Sequence, residues 1–300
     1  MAVAVARERQ GFVRRASAAL YRRPLRKLAL MLGPPLLWMI VVYLGALSLL
    51  FITAFWRLNS LTSAIQHIWG LQNFRTVLGQ TAYRLVTLRT LSVAIAVTIV
   101  DVALAFPIAY LMARMAGPRA RQALLLSVVL PLWANYLIRV FAWRTILDRG
   151  GPADWIFAHV LQVPGVHLGS TNWAVGITFC YLWLPFVILP IHTALERVPA
   201  SYLEASSDLG GRSLMTFRRV ILPLAFPGVV AGSIFSFSLT LGDYITPSLV
   251  GKTVFIGNVV YGQVGVANNI PFGAAYALVP VAIMAGYLFL ARRLGAFEAL

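Results

Sequence analysis

The sequence predicts an all-α integral membrane protein with six transmembrane helices. Three observations lead there. Of its 300 residues, 60% are hydrophobic and 11% charged, whereas soluble domains carry about a quarter charged residues. Six apolar stretches are each long enough to cross a bilayer. The basic residues gather in alternate connecting segments, as the positive-inside rule requires.

The first span is Gly33–Phe55. It is too long for the apolar region of a secretory signal and no clear small-x-small cleavage site follows it, so it reads as an uncleaved span. The second covers about Thr90–Ala113 and the third about Ala123–Trp143. The fourth is Trp173–Leu195, the fifth about Leu222–Val250 and the sixth Phe272–Ala291. At 1.5 Å per residue, some 20 to 23 residues cover roughly 30–35 Å, enough for the hydrocarbon core. The fifth is longer and holds Pro223, Pro227, Gly242 and Pro247, so it is expected to tilt, kink or break.

The net charge is +16, and its distribution sets an orientation. Residues 1–29 hold eight arginines and lysines; Arg114, Arg119 and Arg121 follow the second span. Arg197, Arg212, Arg218 and Arg219 follow the fourth, and Arg292 and Arg293 close the sixth. The opposite segments hold Arg57, Arg75, Arg84, Arg149 and Lys252. Seventeen against five places both termini in the cytoplasm of a multi-pass protein of the inner (plasma) membrane, with lipid around the spans. It also accounts for the charge without nucleic acid, for which no separate basic–aromatic module exists. The chain divides into a basic N-terminal segment (1–29), a transmembrane domain (30–295) and a short tail (296–300). The lone Cys180 lies within a span and reads as a packing residue.

One cytoplasmic segment stands out from its apolar neighbours: EASSDLGGRSLMTFRRVILP, residues 204–223. Pro199 can open a helix, Ala200–Leu209 reads as a short one, and Gly210–Gly211 can end it with positive φ. A second short helix follows. Its Leu214, Phe217 and Ile221 share one face; Arg212, Thr216 and Arg219 share the other. Two short helices around a glycine elbow form a knob able to pack on the membrane domain and meet a soluble partner. A plain solvated connector is the alternative.

The stretch EASSDLGG followed by FRRVILPLAFPG resembles the cytoplasmic signature of ABC importer permeases. Glu204, Ala205, Gly210, Ile221, Leu222 and Pro223 match that signature, and Ser206 stands where the family has a second alanine. The segments TLSVAIAVTIVDVALAFPIAYLMAR, LPLWANYLIRVFAWRTIL, LPFVILPIHTALERVP and SLTLGDYITPSLVG are similar to permeases of the spermidine/putrescine branch, and to the first of their two membrane subunits. The likeness spans roughly residues 28–294.

The resemblance implies a type I ABC importer permease fold and an ATPase-coupling role for Glu204, Ala205, Ser206, Gly210, Leu214, Phe217, Leu222 and Pro223. It implies a second homologous permease, two ATPase subunits and an external solute-binding protein as partners. ATP and its magnesium would sit on the ATPase, leaving this chain without a cofactor and without catalysis of its own. The residues agree. The tempting Gly251-Lys252-Thr253 has Thr246 where a phosphate-binding loop needs glycine. Neither a hydrolase triad nor a metal cluster is legible, and the histidines at 67, 159, 167 and 192 are scattered.

For the path, charged residues within spans are functional hypotheses. Asp243, beside Tyr244 in GDYITP, suits a cation through charge and through an aromatic face; capping a broken helix or pairing with an arginine is the structural alternative. The branch's second glycine after Gly251 is replaced by Lys252. Trp133, Tyr136 and Trp183, near Pro131, Asn135 and Pro185, are candidates for lining. Asp101 reads first as a buried pairing group. Arg139 and Arg144 would repel a bare cation unless paired with Asp148 or Asp154, or would touch an acidic docking surface. The function expected is half the pathway of an ATP-driven importer for a small cation of the polyamine type. An opine, a phosphonate or ferric iron is the alternative cargo within the class, and a secondary transporter the more distant reading.

Overall fold

A computed structural model describes residues 24–293 except 60, 61, 164 and 166. The basic segment up to residue 23 and the tail from 294 lie outside the described residues. The chain divides after Ala54 into two compact units. The first holds α1 (Pro24–Met39), a π-helical turn (Ile40–Leu44) and α2 (Gly45–Thr53). Together they give one apolar rod long enough to span, Leu28–Thr53.

The second unit opens with a short antiparallel pair, β1 (Arg57–Leu58) and β2 (Ile65–Gln66), and a helix α3 (Gln72–Gly79). Then come α4 (Thr81–Tyr110), α5 (Pro118–Trp133), α6 (Tyr136–Leu147), α7 (Pro152–His159) and α8 (Asn172–Glu196). A π turn, Leu111–Met115, extends α4. Two short helices follow, α9 (Ala200–Asp208) and α10 (Ser213–Thr216), and a further π turn, Phe217–Ile221, leads into α11 (Leu222–Gly242). The chain ends with α12 (Ile245–Val250), α13 (Ile256–Tyr261) and α14 (Ile270–Arg293).

Five helical stretches among the described residues are long and apolar enough to span. The third expected span departs from a straight rod. It is split into α5 and the α6–α7 stretch, bent by 96° at a short break. Pro131 lacks an N–H and weakens the end of α5, and Asn135 restarts the chain by accepting the Leu137 amide at 2.9 Å. The fifth span breaks as expected: α11 stops at Gly242 and α12 resumes at Ile245.

Helix α8 is the centre of the bundle. Val175, Phe179, Leu182, Val187, Ile191 and Leu195 are buried along its whole length, packing against α4 and α11. In α4 the large side chains Leu85, Leu88, Ile95 and Ile99 stay exposed, as suits a surface meeting lipid rather than water.

The α8–α11 contact is unusually close. A Cβ at Gly228 would lie 2.5 Å from the Ala194 Cβ and 2.7 Å from the Pro190 carbonyl; one at Gly232 would lie 3.0 Å from Val187. Gly228→Val is therefore expected to destabilise the purified protein by about 1–3 kcal/mol through overpacking. Gly286→Val, on α14 where a Cβ meets nothing within 4 Å, serves as control. Thermal unfolding in detergent compares the two.

Candidate functional site

The first group of candidate residues meets where two helices are interrupted. Between α11 and α12 the chain turns extended at Asp243, with φ −74° and ψ 129°. The Asp243 carboxylate takes the place of the missing backbone acceptors. Its Oδ1 accepts the amides of Ile245 at 2.7 Å and Thr246 at 3.2 Å. Its Oδ2 accepts the Thr246 hydroxyl at 2.9 Å and the Tyr136 hydroxyl. Tyr136 and Thr246 also lie 2.7 Å apart, so three oxygens close a triangle. Tyr136 is the first residue of α6, directly after the other break. The two interruptions thus meet through side chains.

Aromatic rings surround this triangle. Tyr136 stacks on Trp183, with centroids 6.1 Å apart and planes 12° apart; Phe179 and Phe186 flank the same indole. Tyr244 is 37% exposed and stacks on Tyr261 at 4.7 Å. Its carbonyl accepts Ser248 Oγ at 2.6 Å and Asn258 Nδ2 at 2.8 Å. Of the expected lining residues, Asp243, Tyr136 and Trp183 come together and Tyr244 adjoins them. Trp133 does not join: it ends α5 before the bend and is 85% exposed. Asp243 does cap a broken helix, the structural alternative raised by its position. Thr246, Tyr261 and Asn258 were missed; Asp243 ahead of a helix start signalled a cap, but not the hydroxyl that joins it.

The remaining intramembrane charges fall elsewhere. Asp101 is fully buried; Ser236 Oγ donates to it at 2.5 Å and the Cys180 thiol lies against it. Among the described residues Arg139 and Arg144 form no ion pair. Asp154 instead accepts the Gly150 amide at 3.0 Å and faces His167 at 2.7 Å, and Asp148 accepts the Arg149 amide. In the phosphate-loop look-alike, Thr253 donates to Asn172 at 2.5 Å.

The second group lies on the knob between α8 and α11. Helix α9 runs from Pro199 and is closed at its end by three bonds: Leu209 N to Ala205 O, Gly210 N to Ser207 O and Gly211 N to Ser206 O. The two glycines have different tasks. Gly210 sits at φ +74°, where side chains are strained. Gly211 has no positive φ; a Cβ there would lie 2.5 Å from Ser206 O. Ser206, which stands in place of the family's alanine, uses its hydroxyl to join α9 to α10 through Thr216 at 2.8 Å.

The expected common face of Leu214, Phe217 and Ile221 is not formed. Phe217 packs edge-on against Phe106, 5.5 Å between centroids, and Ile221 is buried with Ala105, Ala109 and Met112. Leu214 is 68% exposed. The π turn at Phe217–Ile221 widens the spacing between those two residues; Leu214 lies in the α-helical turn before it. Phe217 is half-buried against the bundle, whereas Glu204, Leu209 and Leu214 are exposed. A groove of about 580 Å³ between α9 and the start of α11 is lined by Tyr202, Ala205, Ser206, Leu209, Met215 and Pro223. Leu222, the first residue of α11, does not line it and is 37% exposed.

A family model described as "Binding-protein-dependent transport system inner membrane component" matches residues 105–297. The "Inner membrane ABC transporter permease protein YdcU" of Escherichia coli (strain K12) is 43% identical over 297 residues, covering 95% of each chain. The "Spermidine/putrescine transport system permease protein PotB" of Haemophilus influenzae is 34% identical over 211 residues, 69% of this chain and 73% of that protein. Among solved structures, one subunit of a bacterial alginate ABC transporter in complex with an alginate pentasaccharide-bound periplasmic protein superposes with TM-score 0.70. That match is 15% identical and covers 92% of this chain and 96% of the other, a likeness of fold.

The triangle generates a stability expectation. Tyr136→Phe removes one donor from the enclosed Asp243 carboxylate while keeping the ring, and should cost about 1–3 kcal/mol, read as a lower unfolding midpoint of the purified protein.

Proposed function

This chain belongs to the family of inner membrane components of binding-protein-dependent transport systems, as a permease of the ABC transporter type, and we propose that it forms half of an importer's pathway for a small organic cation of the polyamine class. Kinship with a spermidine/putrescine permease supports the cargo. The observation that carries the reading is the meeting of two interrupted helices at Tyr136, Asp243 and Thr246, walled by Trp183 and Tyr244.

The chemistry suits a primary or secondary ammonium group. A carboxylate supplies charge, and aromatic faces attract a partly dehydrated cation. Asp243 is already hydrogen-bonded by four donors, which weakens it as a ligand. A cation reaching Oδ2 displaces only the hydroxyls of Tyr136 and Thr246, while the two backbone amides keep Oδ1 fixed. A conducting path needs this balance, because binding must be good enough to admit the cargo and weak enough to release it.

The rest of the assembly follows the family. One such subunit does not enclose a path, so a second, homologous permease completes it. Both termini and the knob face the cytoplasm. Two ATPase subunits bind ATP and magnesium and dock on α9 and its groove, through Glu204, Ala205, Ser206, Leu222 and Pro223, with Leu214 at the rim. Gly210 shapes the elbow, and Phe217 anchors the knob from the membrane side. An external solute-binding protein delivers the cargo. ATP binding and hydrolysis shift the pair between inward- and outward-open states by binding one better than the other.

The test is ATP-dependent uptake into proteoliposomes containing this subunit with its genomic-neighbour permease, ATPase and binding protein. Labelled spermidine, putrescine, an opine, a phosphonate and ferric iron form the panel. Uptake of a polyamine is expected. Uptake of an anion alone would keep the importer, end the cation assignment and turn attention to Arg139 and Arg144. Asp243→Asn should lower polyamine uptake about tenfold, the scale of one charge-assisted contact, without loss of ATPase from the complex. Gly210→Val should abolish most uptake by distorting the elbow while the chain still reaches the membrane, checked by uptake against membrane yield.

A further inference from the structure

Two arginines whose number and side of the membrane serve topology do something more specific. Helix α8 ends at Glu196, and the carbonyls of a last helical turn have no partner within the helix. Arg114, in the π turn after α4, reaches across to them. Its Nη2 donates to Leu195 O at 2.8 Å and to Val198 O at 2.5 Å. A guanidinium there also faces the negative end of the α8 dipole.

Arg121 supplies the reciprocal link. Its Nε donates to Met112 O and its Nη2 to Ala113 O, both at 3.1 Å, and its Nη1 donates to Glu196 Oε1 at 3.2 Å. One arginine thus leaves the end of α4 for the end of α8. The other holds the end of α4 while touching the last residue of α8. The exposed Arg121–Glu196 pair is weak alone, each side chain being about two-fifths exposed. The carbonyl contacts fix the geometry.

The place of this staple is what matters. Val198, whose carbonyl Arg114 holds, immediately precedes Pro199, and α9 begins at Ala200. Pro199 is fixed at φ −64°, which removes one rotatable angle between the staple and α9. A displacement of α9 also reaches the bundle through α8 and, by way of Ser206–Thr216, through Phe217 on Phe106 of α4. The staple adds a route into α4, whose Ala105, Ala109 and Met112 pack with Ile191 and Leu195.

We infer that Arg114 is a positioning residue for energy coupling, assisted by Arg121: it holds the root of α9 on the end of α4, so that α4 and α8 move together when the ATPase moves α9. This rests on α9 being the ATPase-docking element proposed above. The test uses the reconstituted four-component importer and reads three quantities: ATPase retained on purification, binding-protein-stimulated hydrolysis, and cargo taken up per ATP. Arg114→Gln should retain the ATPase and its basal hydrolysis, while uptake per ATP falls about tenfold, within the range for substitutions in a coupling network. Arg114→Lys, which keeps the charge, should recover part of that ratio. If Arg114→Gln fails to reach the membrane, Arg114→Lys is judged by the same ratio against wild type. An unchanged ratio, or loss of the ATPase from the complex, would overturn the inference. A wild-type complex that binds no ATPase through this knob would instead remove the docking assignment, and this inference with it.

Discussion

Inside a bilayer every backbone amide and carbonyl must find a partner within the protein. That constraint shapes the region where α5 gives way to α6 and α11 to α12. Each interruption leaves amides without helical acceptors, and each is repaired by the side chain standing at the break. Asn135 accepts the Leu137 amide; Asp243 accepts two amides and two hydroxyls. Because Tyr136 serves both as the start of α6 and as a donor to Asp243, the repairs are one network. The irregular backbone is what brings a carboxylate and aromatic rings together in an otherwise apolar bundle.

At the other end of the bundle, polar contacts serve placement. The knob is a short helix with a sharply defined end, joined to the next helix by the Ser206–Thr216 contact. Phe217 and Ile221 fasten it to the membrane domain. Its outward side chains are thereby offered at a fixed angle. The same economy appears at the ends of α4 and α8, where arginines close helix ends and cross between helices.

Much of this was legible in the sequence. Apolar length located the spans, and Gly242 with Pro247 announced the break in the fifth. The Glu-Ala signature and glycine elbow located the knob. The third span's bend was less legible: Pro131 and Asn135 were visible, yet hydropathy averages across a break without registering it. Periodicity placed Leu214 with Phe217, but a shared face does not say where the bundle stops covering it, and Leu214 is left exposed. Charge counting gave Arg114 and Arg121 a side of the membrane, but says nothing about which carbonyls a guanidinium reaches. Asp243 showed its acidity in the sequence and its four donors only in three dimensions.

The glycines at 228 and 232 carry a mechanical meaning. Where side chains interleave between helices, rotamer changes can absorb a small relative slip. Between α8 and α11 that cushion is missing, since α11 backbone lies directly on Pro190, Val187 and Ala194. Two rods in such contact cannot shear past one another without a clash. They are built to move as one plank, with the knob joining both at one end and the Asp243 break at the other end of α11. A rigid pair of this kind is a lever: an angular displacement imposed at one end would be carried undiminished to the other.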